Sequence, residues 1–370
     1  MASRNPSRLR VLALAALHTL RGGRKRPDTP RRILVAHHLL LGDTLMLTPL
    51  LAKLRQNFPA AEIVMTTPKA IAPLYAKRPY GVLALPYDPR DLGTLQALRK
   101  HAGFDLAIVP GDNRFSWLAR ALDARWIVAF DGDRPAYKSW PVDELRPYPD
   151  APAAWGDMVA ELAAGPEPRA YLSEEWPAPE AAPLDLPPSP YCVLHVGASS
   201  RLRLWAPENW RAFAAILTQR GYQVVWSSGR NEQALVAEID PDGRYPSFAG
   251  QLDLPQMWRL LEGAHLLACP DTGIAHLGRL TGTPTVTLFG PGSAVIFGAG
   301  RFWRNSPYRA VTVDDIPCRD QDILFRRHLP WVRRCGRSTK ECATARCMAC
   351  LAVEDVLAAI EDWIPPIASR

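Results

Sequence analysis

Short, almost wholly apolar runs recur along this chain, and each is followed by a stretch with helical spacing. Runs of that length without polar alternation are the mark of strands buried on both faces. The first half places them at 33–36, 62–66, 81–85, 105–109 and 126–129, with helices expected over 43–57, 68–77, 91–101 and 115–122. The pattern restarts at 191–196, 223–227, 265–268 and 285–289, with helices expected over 207–220, 231–239, 254–262, 273–280 and 353–363. Strands alternating with helices of ten to fifteen residues specify parallel sheets wrapped by helices. The fold class is therefore α/β, built twice.

Between the two series, residues 166–190 hold eight prolines. Proline fixes φ and donates no backbone hydrogen bond, so this stretch is expected to be a semi-rigid linker. The organisation that follows is a basic extension over 1–30, an α/β domain over 31–165, the linker, a second α/β domain over 191–350 and a closing helix over 351–370. Open α/β sheets bind ligands beyond the carboxyl ends of their strands, so the expected site is the cleft between two such halves.

The 370 residues carry a net charge of +7, unevenly placed. Residues 1–32 hold nine Lys and Arg against Asp28 alone; residues 301–346 hold eleven against five acids, and the remainder is net negative. Such basic patches suit an anionic partner, a membrane surface or nucleic acid. No recognised nucleic-acid module or stacking-aromatic motif accompanies them, which argues against nucleic acid. No apolar run reaches the ~18 residues of a membrane span. Arg4, Arg8 and Arg10 before an apolar stretch imitate a secretion signal, but Arg21 to Arg26 follow where small residues of a cleavage site belong. With Leu9, Leu12, Leu14, Leu17 and Leu20 among its arginines, this segment is instead expected to lie on an anionic bilayer as a basic amphipathic helix, or to stay a solvated tail.

Three loops hold candidate chemistry. Asp43, in Leu41-Gly42-Asp43-Thr44, follows the first strand. It reads as a helix N-cap or as a general base for a hydroxyl. His195-Val196-Gly197-Ala198-Ser199-Ser200 runs into Arg201, Arg203 and Trp205, where either arginine is placed to neutralise a phosphate or to sit in solvent. Cys269-Pro270-Asp271-Thr272-Gly273 opens a helix bearing His276, and the free amides of a helix start suit a diphosphate. An Asp-x-Asp at Asp131-Gly132-Asp133 is a weak metal signal. Of seven cysteines, Cys318, Cys335, Cys342, Cys347 and Cys350 cluster; their spacing holds one tight Cys-x-x-Cys pair. Buried or free thiols account for them better than a structural metal on Cys335, Cys342, Cys347 and Cys350. Cys192 and Cys269 read as core.

Taken together, the Gly42-Asp43-Thr44 turn, the Gly-Ala-Ser loop before Arg203 and Trp205, Asp271-Thr272-Gly273-x-x-His276 and Leu288-Phe289-Gly290-Pro291 resemble, in order, the lipopolysaccharide heptosyltransferases of glycosyltransferase family 9. The resemblance runs from about Arg32 to Trp363 and includes Cys347-Met348. It implies a GT-B fold and inverting transfer of a heptose from a nucleotide-diphosphate sugar, typically ADP-heptose, to a lipopolysaccharide core acceptor, with no metal or other cofactor. By position, Asp43 is similar to the family's general base, and Thr272 and Gly273 to its diphosphate cradle, shaped by Asp271 and His276. Arg203 stands where the family usually has a lysine, and Glu232 where an acid contacts the donor ribose. His37-His38 departs from a usual Arg or Lys. The implied location is cytoplasmic, peripheral at the inner membrane of a Gram-negative-type cell. A GT-B enzyme using another nucleotide sugar, for transfer or epimerisation, is the alternative, ahead of a nucleic-acid-associated protein.

Overall fold

The computed structural model describes residues 4–19, 24–314 and 316–367. The chain forms two compact units. The first comprises residues 1–169, 175–179 and 323–331; the second comprises 170–174, 180–322 and 332–370.

In the first unit, helix α1 (Arg4–Thr19) precedes strand β1 (Arg32–Val35). There follow α2 (Leu41–Leu45), α3 (Thr48–Asn57), β2 (Glu62–Thr67), β3 (Val82–Pro86), α4 (Leu92–Arg99) and β4 (Phe104–Val109). Helix α5 (Phe115–Ala121), β5 (Ala124–Phe130), β6 (Glu144–Arg146) and α6 (Trp155–Ala160) complete it. The strands pair in parallel in the order β3-β2-β1-β4-β5-β6. That order reverses between β1 and β4, which leaves a crevice at the carboxyl ends of those two strands. The core is built of Leu34, Val64, Ala107, Val109 and Ile127 from the sheet with Leu95, Leu98, Leu118 and Leu122 from the helices.

Several expectations change. The single helix over 43–57 is two helices, because Pro49 enters α3 in its first turn and has no N–H to continue the ladder. The helix expected over 68–77, which contains Pro68 and Pro73, is reduced to a 3-10 turn at Ala72–Tyr75. Edge strand β6 was too short to show a period. Within the proline-rich stretch, Trp176 is buried and donates from Nε1 to the Leu74 carbonyl at 3.1 Å, so that part is anchored to the first unit. A hairpin at Ile323–Leu324 and Arg327–His328, sequence-distant and inside the range expected for the second domain, also joins the first unit. Leu20 and Arg21 lie outside the described residues.

The second unit contains β7 (Tyr191–His195), α7 (Pro207–Gln219), β8 (Gln223–Ser227), α8 (Gln233–Ile239) and α9 (Leu254–Glu262). It continues with β9 (Leu266–Pro270), α10 (Gly273–Thr281), β10 (Thr285–Phe289), α11 (Ala294–Phe297), β11 (Tyr308–Thr312), α12 (Arg346–Ala349) and α13 (Val353–Ile360). The parallel order is β11-β10-β9-β7-β8. Strands β7, β9 and β10 are buried along their whole length. The reversal falls between β7 and β9, so the loops leaving those two strands are neighbours although some 75 residues separate them in the chain.

Candidate functional site

The second unit gathers most of the expected residues at its switch point. The loop after β7 passes through Gly197 and enters a 3-10 turn, Arg201–Arg203, capped by the Ser200 hydroxyl, which accepts from the Leu202 amide. Beyond β9, Asp271 precedes Thr272, the extended N-cap residue of α10. Thr272 makes no side-chain cap bond, and the first amides of an α-helix have no partner within it. With the helix dipole they make this end an anion seat.

Arg203 bridges the two loops. Its Nη1 donates to the Asp271 carbonyl at 2.8 Å and stands 3.4 Å from Asp271 Oδ2. Asp271 is buried, and its Oδ2 accepts no hydrogen bond within the described residues. Burial raises the pKa of this carboxyl, while the charges of Arg203, Arg334 and Arg279 oppose the rise. A Cβ at Gly292 would lie 2.2 Å from Asp271 Oδ2, so only glycine lets that carboxylate sit where it does. A Cβ at Gly290 would meet Met348 Sδ at 2.4 Å, which explains the second glycine around Pro291.

Arg279 holds His276 in place. The histidine is buried on α10, and Arg279 donates to its Nδ1 while also bonding the Phe297 and Gly298 carbonyls at 2.9 and 2.7 Å. Burial, with Arg279 adding to it, lowers the His276 pKa far below the ordinary imidazole value. The ring is therefore neutral, and with Nδ1 accepting, the proton resides on Nε2. Arg279 in turn lies over the Tyr308 ring at 4.4 Å.

Beside the anion seat is a cavity of about 200 Å³, lined by His195, Ser228, Gly229, Glu232, Met257 and Thr272 among others. Glu232 Oε2 accepts from the Gly229 amide at 2.8 Å, which fixes the carboxylate in the wall. A Cβ at Gly197 would fall 1.9 Å from that oxygen, so the glycine of the Gly-Ala-Ser loop is what makes room for Glu232. Apolar walls of Phe248, Leu252 and Ile274 face a few fixed polar groups, the ordinary make-up of a small-molecule site. His195, buried and 2.9 Å from Ser227 Oγ, has its pKa pushed down to about 4 by burial.

Sequence reading missed two cations here. Arg279 had a local signal, since it sits one helical turn after His276. Arg334 had none: it reaches the neighbourhood of Asp271 because residue 334 pairs with Gln321 in an antiparallel bridge.

Asp43 belongs to the first unit. Leu40 is the N-cap of α2, so Asp43 is a half-buried first-turn residue and not the cap. It follows β1 at the switch point and contributes to the field at Tyr148, whose buried hydroxyl is pushed up to about 12, chiefly by burial. His37 is buried and Leu39 donates to its Nδ1 at 3.2 Å; burial lowers its pKa to about 3. It is thus a neutral core residue, whereas His38 is exposed.

The remaining candidates have structural partners. Asp133 accepts from the Asn113 amide at 2.8 Å and from Lys138 Nζ at 3.0 Å, with Arg327 at 3.8 Å. All three charges are buried, and removing one member of such a cluster costs about 3–5 kcal/mol. The seven cysteines are free thiols: Cys192, Cys269 and Cys347 are buried, Cys318, Cys335 and Cys342 are half-buried, and Cys350 is exposed. Among the described residues no group of three His, Cys, Asp or Glu side chains is placed to hold a metal.

The family model "Glycosyltransferase family 9 (heptosyltransferase)" matches residues 94–305, more than half of the chain. The chain belongs to this family. It is a glycosyltransferase. Among curated proteins it is similar to lipopolysaccharide heptosyltransferase 1 of Pseudomonas aeruginosa, 26% identical over 300 residues, spanning 72% of this chain and 81% of the relative. The solved family 9 glycosyl transferase of Veillonella parvula matches with a TM-score of 0.67 at 14% identity, covering 92% of this chain and 99% of that one. An E. coli heptosyltransferase solved with ADP-2-deoxy-2-fluoro heptose matches with a TM-score of 0.64 at 16% identity, covering 90% and 99%. These structural likenesses speak to the fold, which is GT-B: two Rossmann-like α/β domains.

Proposed function

We propose that this family 9 enzyme moves a heptose from a nucleotide-diphosphate sugar, ADP-heptose by analogy with its relatives, to a lipopolysaccharide core acceptor, with inversion. The observation that carries the reading is the Arg203–Asp271 bridge at the start of α10, beside the cavity walled by Glu232. Residues 191–322 and 332–350 are assigned to the donor and 31–165, with the hairpin segment 323–331, to the acceptor.

In the proposed reaction the acceptor hydroxyl attacks the anomeric carbon, and Asp43 takes its proton. The new C–O bond forms as the bond to the diphosphate breaks, and a single displacement inverts the centre. The departing nucleoside diphosphate carries the electron pair. Arg203 and the Thr272 and Gly273 amides neutralise it, which is where positioned donors contribute most to rate. Glu232 binds the ribose hydroxyls; Asp271 and His276 hold the seat in shape. The acceptor's lipid anchor suits an enzyme on the cytoplasmic side of the inner membrane.

Asp43→Asn tests this. It should leave ADP-sugar affinity unchanged and lower the transfer rate by about 10²–10⁴. A variant with full rate at saturating donor refutes the assignment. A thermal-shift panel tests the donor: stabilisation by ADP-sugars is expected, and stabilisation by UDP-sugars alone would overturn it.

A further inference from the structure

Helix α1 has two apolar faces, and the protein covers one. Ser7, Val11 and Ala15, four residues apart, are buried on α4 and α5, where Val11 and Ala15 join the core of the first unit. Leu14 also packs inward against that core. At 100° per residue the opposite face carries Leu9, Ala13 and Leu17, with Leu12 and Ala16 beside them. That face is open: Leu9 is 66% exposed, Leu17 54% and Leu12 36%. A soluble surface helix ordinarily presents polar residues there.

Charge frames the open face. Arg8 and Arg10 fall on its two flanks, both exposed and without an ion pair among the described residues. The helix itself contains no acidic residue, and none occurs in the chain before Asp28. Arg24 and Arg26, by contrast, fold back on Asp143 and Glu144 at 3.2 and 3.5 Å, so the net attraction outward comes from the helix. Helix α5, on which α1 packs, also supports Trp140 through Trp117, with ring centroids 6.5 Å apart, and Trp140 is 73% exposed.

We infer that α1 is an interfacial anchor: its Leu9–Leu17 face lies among the acyl chains of an anionic bilayer while Arg8 and Arg10 bind lipid phosphates and its Val11–Ala15 face stays on the protein. Charge selects the occupant. A second copy of the helix would bring more arginines and no acidic residue to pair with Arg8 and Arg10, whereas an anionic surface pairs with them. The inference deepens the location given above. Its evidence is independent of the donor and acceptor, and so is its test.

The full chain is sedimented with vesicles of phosphatidylcholine alone or with 30% phosphatidylglycerol, with no substrate present. Binding is expected on the anionic vesicles, about 25-fold weaker on neutral ones for two cations at about fivefold each. Leu9→Asp with Leu17→Asp should abolish it, and Arg8→Gln with Arg10→Gln should reduce it to the neutral level. Both pairs point away from the core, so an unchanged melting temperature and unchanged transfer to a soluble, delipidated acceptor are expected. Deleting the segment would be a poorer test, because Val11 and Ala15 are core. Equal sedimentation of wild type and both variants, or none with anionic vesicles, overturns the inference. So does a concentration-dependent dimer that the leucine variants dissolve. Failure of the wild-type protein to transfer heptose while it still binds anionic vesicles would instead count against the proposed reaction.

Discussion

The Nη1 of Arg203 donates to the Asp271 carbonyl at 2.8 Å and lies 3.4 Å from the same residue's carboxylate. One arm of the guanidinium is thus committed to holding the β9–α10 loop, which leaves its other nitrogens for an anion at the start of α10. A lysine in its place is a compact point charge, so both tasks would fall on a single nitrogen.

Arg203→Ala should therefore lower the rate by about 10²–10³, the cost of removing one donor from a charge-stabilising site. Arg203→Lys should keep part of the rate and raise KM for the donor. Steady-state kinetics with the donor varied checks both, and an alanine variant with wild-type constants would show that the arginine holds the loop without touching the donor.

Gly197→Ala is a remote substitution with a specific expected effect. The added methyl would meet Glu232 Oε2 at 1.9 Å, and that oxygen is the end of a flexible side chain, so the carboxylate must swing away. Donor affinity should fall about tenfold, as for Glu232→Ala, at the cost of one charged hydrogen bond. The melting temperature should move little. Calorimetric titration of the two single variants and the double variant checks this: a double variant much weaker than either single one would separate the two residues.

Acid should begin to destabilise the protein above the carboxylate range, from about pH 6.5 downward. Burial lowers the His37 pKa to about 3 and that of His195 to about 4. Each ring stays neutral in the folded state while the unfolded chain takes up a proton near pH 6.5. Stability is then full above that value and falls by about 1.4 kcal/mol per pH unit per imidazole as pH drops toward 4. His276, also depressed by burial, acts in the same direction; the raised Asp271 acts against it. Urea midpoints at pH 7.5, 6.0 and 5.0 measure the slope. His195→Gln should flatten it by one proton, and a level profile across that range would contradict the buried neutral rings.

Much of the site was legible because its signals are local. Gly197, Asp271, Thr272 and Gly273 sit where a strand ends and a helix begins, and such junctions show in a dozen residues of sequence. The family resemblance added roles to those positions. Arg334 was not legible, since its approach to Asp271 depends on a bridge to Gln321 and on nothing adjacent to it. Nor was the structural use of Asp133, which needs Asn113, Lys138 and Arg327, the last almost two hundred residues away.

The sequence alone determined that there are two α/β halves, because buried parallel strands and amphipathic helices each carry a short-range period. Tertiary structure decided what those periods leave open. Strand order set the loop after β7 beside the loop after β9, and long-range pairing is invisible to a local window. Packing split the leucines of α1, turning Leu14 inward and leaving Leu9 and Leu17 outward, because which side of a helix is covered depends on the partner it finds. The hairpin at Ile323–Leu324 and Arg327–His328 went to the first unit for the same reason: Arg327 finds the Asp131, Gly111 and Phe130 carbonyls there, and a buried guanidinium is stable only where such acceptors converge.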